Sequence, residues 1–89
     1  VISKTTARFW RCYAKLPAEV RKLADKAYAL WLGDPAHGSL HFKKLGGHDV
    51  LWSVRVGRQY RALAQRNGDF VVWVWIGHHS EYERLLRAN

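Results

Sequence analysis

The sequence has a single cysteine, Cys12, in 89 residues, so it can form no intrachain disulfide and holds no Cys-x-x-Cys metal or redox motif. That usage points to a reducing, cytoplasmic setting. No apolar run approaches the ~18 residues needed to cross a membrane. Residues 1–16 interleave basic and apolar side chains without the apolar core of a signal peptide, so no membrane partner is expected. His37, His41, His48, His78, His79 and Cys12 stand at spacings that no zinc signature uses, and Gly-x-Ser-x-Gly is absent. Neither a metal, nor another cofactor, nor a serine nucleophile is expected. Acidic residues are also scarce: seven Asp and Glu against fifteen Lys and Arg leave a net charge of +8.

What is present is a small folded chain. A chain this short buries only about 60 to 65% of the surface its unfolded form exposes, which suffices for one modest core, so residues 1–89 are read as one domain. Five Trp, four Tyr and three Phe supply much of that core. From Thr5 to Leu16, the residues Phe9, Cys12, Tyr13 and Leu16 recur at helical spacing, with Ser3, Thr5 and Thr6 as candidate caps. Pro17 suits the first turn of a second helix, which Gly33-Asp34-Pro35 ends. The two make a helical hairpin.

Beyond Leu40 the period changes. Val50–Val56, Gln59–Arg66 and Phe70–Ile76 read as antiparallel strands separated by Gly57-Arg58 and Asn67-Gly68. The last run has no polar face and is expected to be the central or most covered strand. A final helix is expected from Ser80, capped by the Ser80/Glu83 pair, to Asn89, and a short edge strand at Val1-Ile2. The fold class is α+β: a helical hairpin on a small antiparallel sheet of three to four strands, closed by a C-terminal helix. If both turns are tight two-residue loops, Val54 and Val74 flank Arg61, and Trp52, Leu63 and Val72 form the next row on the same face. The opposite face, from Leu51, Ser53 and Arg55 to Ala62, Trp73 and Trp75, would then receive the hairpin.

Two clusters could carry chemistry. Lys43, Lys44, Arg55, Arg58, Arg61 and Arg66 stand against one acid, Asp49, within 24 positions. Such charge suits either a polyanion, whose phosphates fit the arginine fork, or a solvated basic surface. The segment Gly77-His78-His79-Ser80-Glu81-Tyr82 emerges at the end of the last strand, beside the hairpin tip. Two imidazoles and a phenol next to arginines could move protons on a phosphodiester, or could form a polar connection with Tyr82 packed under the last helix.

The stretches Leu32-Gly33-Asp34-Pro35, Leu40 to Leu45, Leu51 to Leu63, Val74 to Gly77 and His78 to Tyr82 together resemble the RelE/ParE superfamily of bacterial toxins. The resemblance covers most of the chain and implies a toxin of a toxin–antitoxin module. It implies a metal-independent endoribonuclease that cuts mRNA at the ribosome and inhibits translation, with a cognate antitoxin as partner. Carried over by position, Arg61 would contact the scissile phosphate, His79 would transfer a proton and Tyr82 would assist. Lys43, Lys44, Arg55, Arg58 and His78 would be auxiliary phosphate contacts. With Trp52 and Val54 where ribosome-dependent members carry lysines on the face of Arg61, a non-enzymatic inhibitor of DNA gyrase is the second reading that the resemblance admits. A basic RNA- or antitoxin-binding domain without activity is the third reading.

Overall fold

The computed structural model describes residues 2–47 and 49–87. In chain order the elements are β1 (Ile2–Thr5), α1 (Ala7–Ala14), α2 (Ala18–Gly33), a 3₁₀ turn (Gly38–Leu40), β2 (Lys43–Lys44), β3 (Leu51–Val56), β4 (Tyr60–Asn67), β5 (Phe70–His78) and α3 (His79–Arg87). Thr6 is the cap of α1, its hydroxyl accepting the Phe9 N–H at 3.1 Å. Pro17 stands one place outside α2 rather than within it, and its carbonyl accepts from Val20 and Arg21. The helical hairpin is as expected.

The sheet has five strands in the order β1-β5-β4-β3-β2. Both extra strands lie at its edges. Lys43–Lys44 pairs antiparallel with β3, while Ile2–Thr5 pairs parallel with β5, longer than the edge strand expected at Val1-Ile2. Val1 and Asn89 lie outside the described residues. The middle place belongs to β4, and β5, expected there, lies beside it. Its cover is still extensive, for α1 and α3 both contact β5, and Val71, Trp73, Trp75 and Ile76 are buried.

The tight-turn register is corrected at both hairpins. The β3–β4 connection is the three-residue loop Gly57-Arg58-Gln59, so Val56 pairs with Tyr60, Arg55 with Arg61 and Val54 with Ala62. The β4–β5 turn is Gly68-Asp69, closed by Asn67 and Phe70, with the positive φ of 56° on its first residue alone, the pattern of a II′ turn. Because side chains alternate, a one-residue slip exchanges the faces of a strand. Trp52 and Val54 therefore face the helical hairpin, and Leu51, Ser53, Arg55 and Trp75 face away from it.

β5 holds a further irregularity. Ala64 pairs with Trp73 but Leu63 pairs with Trp75, leaving Val74 as an extra residue in a bulge. The phase of the strand reverses there. Val71 and Trp73 before it, and Ile76 after it, pack under the hairpin, whereas Val74 and Trp75 both turn to the opposite side.

The larger core lies between hairpin and sheet. Trp31, 1% exposed, is met edge-on by Trp73 at 5.1 Å and by Phe42 at 5.6 Å between ring centroids. Trp52 is half-buried, its ring tilted 35° to that of Phe42 at 4.8 Å between centroids, with the Arg66 guanidinium 4.7 Å from its own ring centroid. A smaller core covers the other face, where Tyr82, Leu85 and Leu86 of α3 pack on Leu45, Leu63 and Trp75. The cap of α3 also differs from expectation. His79 begins the helix, and it is the His78 imidazole that accepts the Ser80 N–H at 3.2 Å.

Candidate functional site

The face turned away from the hairpin carries two cross-strand rows. One runs Lys43–Ser53–Leu63–Trp75, the other Arg55–Arg61–Gly77. α3 covers the apolar part of this face, and a cleft of about 290 Å³ remains beside it, lined by His41, Lys43, Ser53, Arg55, Arg61 and Tyr82. Three of the six, Lys43, Arg55 and Arg61, are basic. No Asp or Glu is among the described residues that line it.

Each position follows from local structure. Arg55 and Arg61 are directly opposed on neighbouring strands, an arrangement that costs stability for like charges. Arg61 is steadied by its own strand, Nη1 donating to the Tyr60 carbonyl at 2.8 Å. The Nε–H of Arg55 is buried with no acceptor among the described residues, and its Nη1 lies 3.4 Å from Nε2 of His41. Gly77 completes the row without a side chain. A Cβ there would stand 2.5 Å from the Trp75 ring, which lies over the glycine.

His41 sits in the left-handed region, φ 48° and ψ 41°, the sole described non-glycine residue with positive φ. The reversal sends Leu40, 2% exposed, into the main core and starts β2, placing Lys43 opposite Ser53.

The expected residues divide between this cleft and its surroundings. Lys43, Arg55, Arg61 and Tyr82 meet in it. Lys44 pairs with Trp52, in the row that faces the hairpin, and Arg58 is exposed in the β3–β4 loop. His78 faces Tyr60, their rings 5.4 Å apart, and its ring lies 4.5 Å from that of His79, tilted by 33°. The His79 N–H donates to the Gln59 carbonyl at 2.7 Å, two residues along from the Arg61–Gly77 pair. His79 also precedes Tyr82 by three positions on α3, which puts both on one side of the helix. His41 and Ser53 were not expected. For Ser53 the signal available was alternation, since it stands two positions before Arg55 on β3.

A larger cavity of about 420 Å³ lies between the helical hairpin and the sheet. Its polar rim is paired within the chain: Tyr13 donates to Asp25 at 2.7 Å, Tyr28 to Ser3 at 2.9 Å and Trp10 to Thr5 at 2.9 Å. The bond to the Asp25 carboxylate raises the Tyr13 pKa above its ordinary value of 10.0. Among the described residues no group of three or more His, Cys, Asp or Glu could hold a metal ion, and no helix is long and apolar enough to cross a membrane.

Residues 18–84 match the ParE-like toxin domain. The chain belongs to that family. This ParE-like toxin domain also shares its fold with solved toxins. A chain of the RelB–RelE antitoxin–toxin complex from Methanococcus jannaschii superposes with a TM-score of 0.75 at 19% identity, over 92% of this chain and 96% of that one. The isolated E. coli RelE toxin gives 0.66 at 19% identity over 99% and 98%, and YafQ from E. coli gives 0.70 at 9% over 90% and 94%. The resemblance to the RelE/ParE superfamily is thus borne out by family and by fold. No curated protein sequence matches.

Proposed function

We propose that this ParE-like domain is the toxin of a toxin–antitoxin module and cleaves messenger RNA at the ribosome, in the cytoplasm, without a metal ion. The opposed Arg55–Arg61 pair in a cleft lined by no acid carries the reading. Two guanidiniums facing each other destabilise an empty site and become favourable when a shared phosphate lies between them. The register removes the argument for an apolar face around Arg61, since Ser53 and Arg55 stand where Trp52 and Val54 were expected.

In the proposed reaction the ribose 2′-oxygen attacks the adjacent phosphorus. The bond to O2′ forms, the bond to O5′ breaks, and the products end in a 2′,3′-cyclic phosphate and a 5′-hydroxyl. Arg61 clamps the non-bridging oxygens, where negative charge builds in the transition state, with Arg55 and Lys43 beside it. Tyr82 orients the ribose or phosphate. His79, at the start of α3, transfers a proton, and Arg58, Lys44 and His78 contact flanking phosphates.

The partner is an antitoxin with an acidic amphipathic segment that covers the basic cleft. The similarity to a chain of a RelB–RelE antitoxin–toxin complex supports it. Incubating the purified protein with mRNA, with and without ribosomes, is expected to yield 2′,3′-cyclic phosphate ends. His79→Ala should slow cleavage by about 10²- to 10⁴-fold. RNA left whole under both conditions refutes the reading, and loss of gyrase supercoiling with intact RNA replaces it by the gyrase alternative.

A further inference from the structure

Transfer of phosphorus from O5′ to O2′ needs two proton movements: one off the attacking hydroxyl, one onto the leaving oxygen. His79 can serve one of them. The cleft itself contains a second imidazole. We infer that His41 is the base that takes the 2′-hydroxyl proton, an inference that rests on the ribonuclease reading above.

Four observations converge on it. Among the side-chain types that line the cleft, arginine, lysine, tyrosine, serine and histidine, only imidazole exchanges a proton readily near neutral pH. Among the described residues, those that line the cleft with it are Lys43 on β2, Ser53 and Arg55 on β3, Arg61 on β4 and Tyr82 on α3. None is a carboxylate that could act as base in its place. Nε2 of His41 lies 3.4 Å from Nη1 of Arg55, and a guanidinium offers no acceptor, so this contact requires the Nε2 lone pair. That nitrogen is therefore presented to the cleft as a base.

The backbone supports the same assignment. A non-glycine residue with a φ of 48° adopts a conformation that L-residues ordinarily avoid, and such outliers persist where the surrounding structure holds them in place. Here Leu40 is locked in the core on one side and β2 is paired on the other. The ring is held over the arginine row as a result. When a phosphate enters, the Arg55 fork turns to its oxygens and releases Nε2. His41 then accepts the 2′-hydroxyl proton as the O2′–P bond forms, and the imidazolium of His79 gives its proton to O5′ as the P–O5′ bond breaks. Exchange with water resets both rings.

The test uses single-turnover RNA cleavage across pH by the wild-type protein, His41→Asn and His41→Ala. Asparagine tolerates left-handed backbone, so the first variant keeps the fold. Both should cleave about 10²- to 10⁴-fold more slowly at neutral pH. Each should still bind an oligonucleotide 2′-deoxygenated at the cleavage position as the wild type does. Their profiles should lose the acidic limb, and free imidazole should restore cleavage by His41→Ala. A wild type that cleaves while His41→Asn matches its rate and pH profile overturns this inference and leaves the ribonuclease reading standing. A wild type that leaves RNA whole overturns both.

Discussion

Replacing Arg55 by methionine should make the protein more stable, the opposite of what most substitutions in a folded core do. Two costs are attached to this arginine. Its Nε–H is buried without an acceptor among the described residues, and an unsatisfied buried donor costs about 1–3 kcal/mol. It also opposes Arg61 across the ladder, a like-charge pair that costs roughly 0.2–1 kcal/mol. What the substitution removes is small: the contact with His41 is 3.4 Å long, and methionine keeps the aliphatic bulk of the arginine stem. The balance is a gain of about 1–3 kcal/mol. For a domain of this size each kcal/mol moves Tm by about 4–8 °C. Scanning calorimetry in a chloride buffer should show a rise of at least about 4 °C. Inorganic phosphate should raise the wild-type Tm further by occupying the cleft and should move that of Arg55→Met less. A lower Tm for the variant would refute the argument, because it would mean that the arginine stabilises the empty protein.

Gly77→Ala should destabilise by about 1–3 kcal/mol, measured by urea unfolding, since the added methyl collides with the buried Trp75 ring. Tyr13 carries a raised pKa through its bond to Asp25. The associated stability is therefore complete below the ordinary tyrosine value and is lost as pH rises through the higher folded one. Unfolding titrations of Tyr13→Phe should show that alkaline loss diminished, and an unchanged profile would exclude the pair as its source. Three cleft cations should give the log of single-stranded RNA affinity a slope of about −2 against log salt, and Arg61→Ala should flatten it by about 0.7. Anisotropy titrations at several chloride concentrations measure both slopes, and an unaltered slope would remove Arg61 from the phosphate contacts.

Helical spacing, Thr6, Pro17 and the Gly33-Asp34-Pro35 stop made the hairpin legible in the sequence, and the strands were legible within a residue or two. Their faces were not. Gly57-Arg58 and Asn67-Gly68 mark turns, but they do not say whether the loop takes in Gln59 or shifts to Asp69, and each choice changes which residues stand opposite. The unbroken apolar run Val71 to Ile76 hides the bulge at Val74, because no polar residue marks the phase there. Arg61, Arg55, Lys43 and Tyr82 were identifiable as basic or phenolic residues near one sheet end. His41 was not, for its place depends on a left-handed residue that no local pattern announces. β2, two residues long, had too little sequence to read.

The parallel pairing of β1 with β5 joins strands far apart in sequence, Ile2 meeting Phe70 across 68 positions. Tyr82, which closes the cleft, is synthesised later still. A nascent chain halted before β5 would leave β1 with no neighbour, Arg61 with no Gly77 beside it and Tyr82 unmade. Closure over so long a separation is slow relative to local hairpins. Assembly of the basic cleft, whose lining runs from His41 to Tyr82, thus waits on the synthesis of α3.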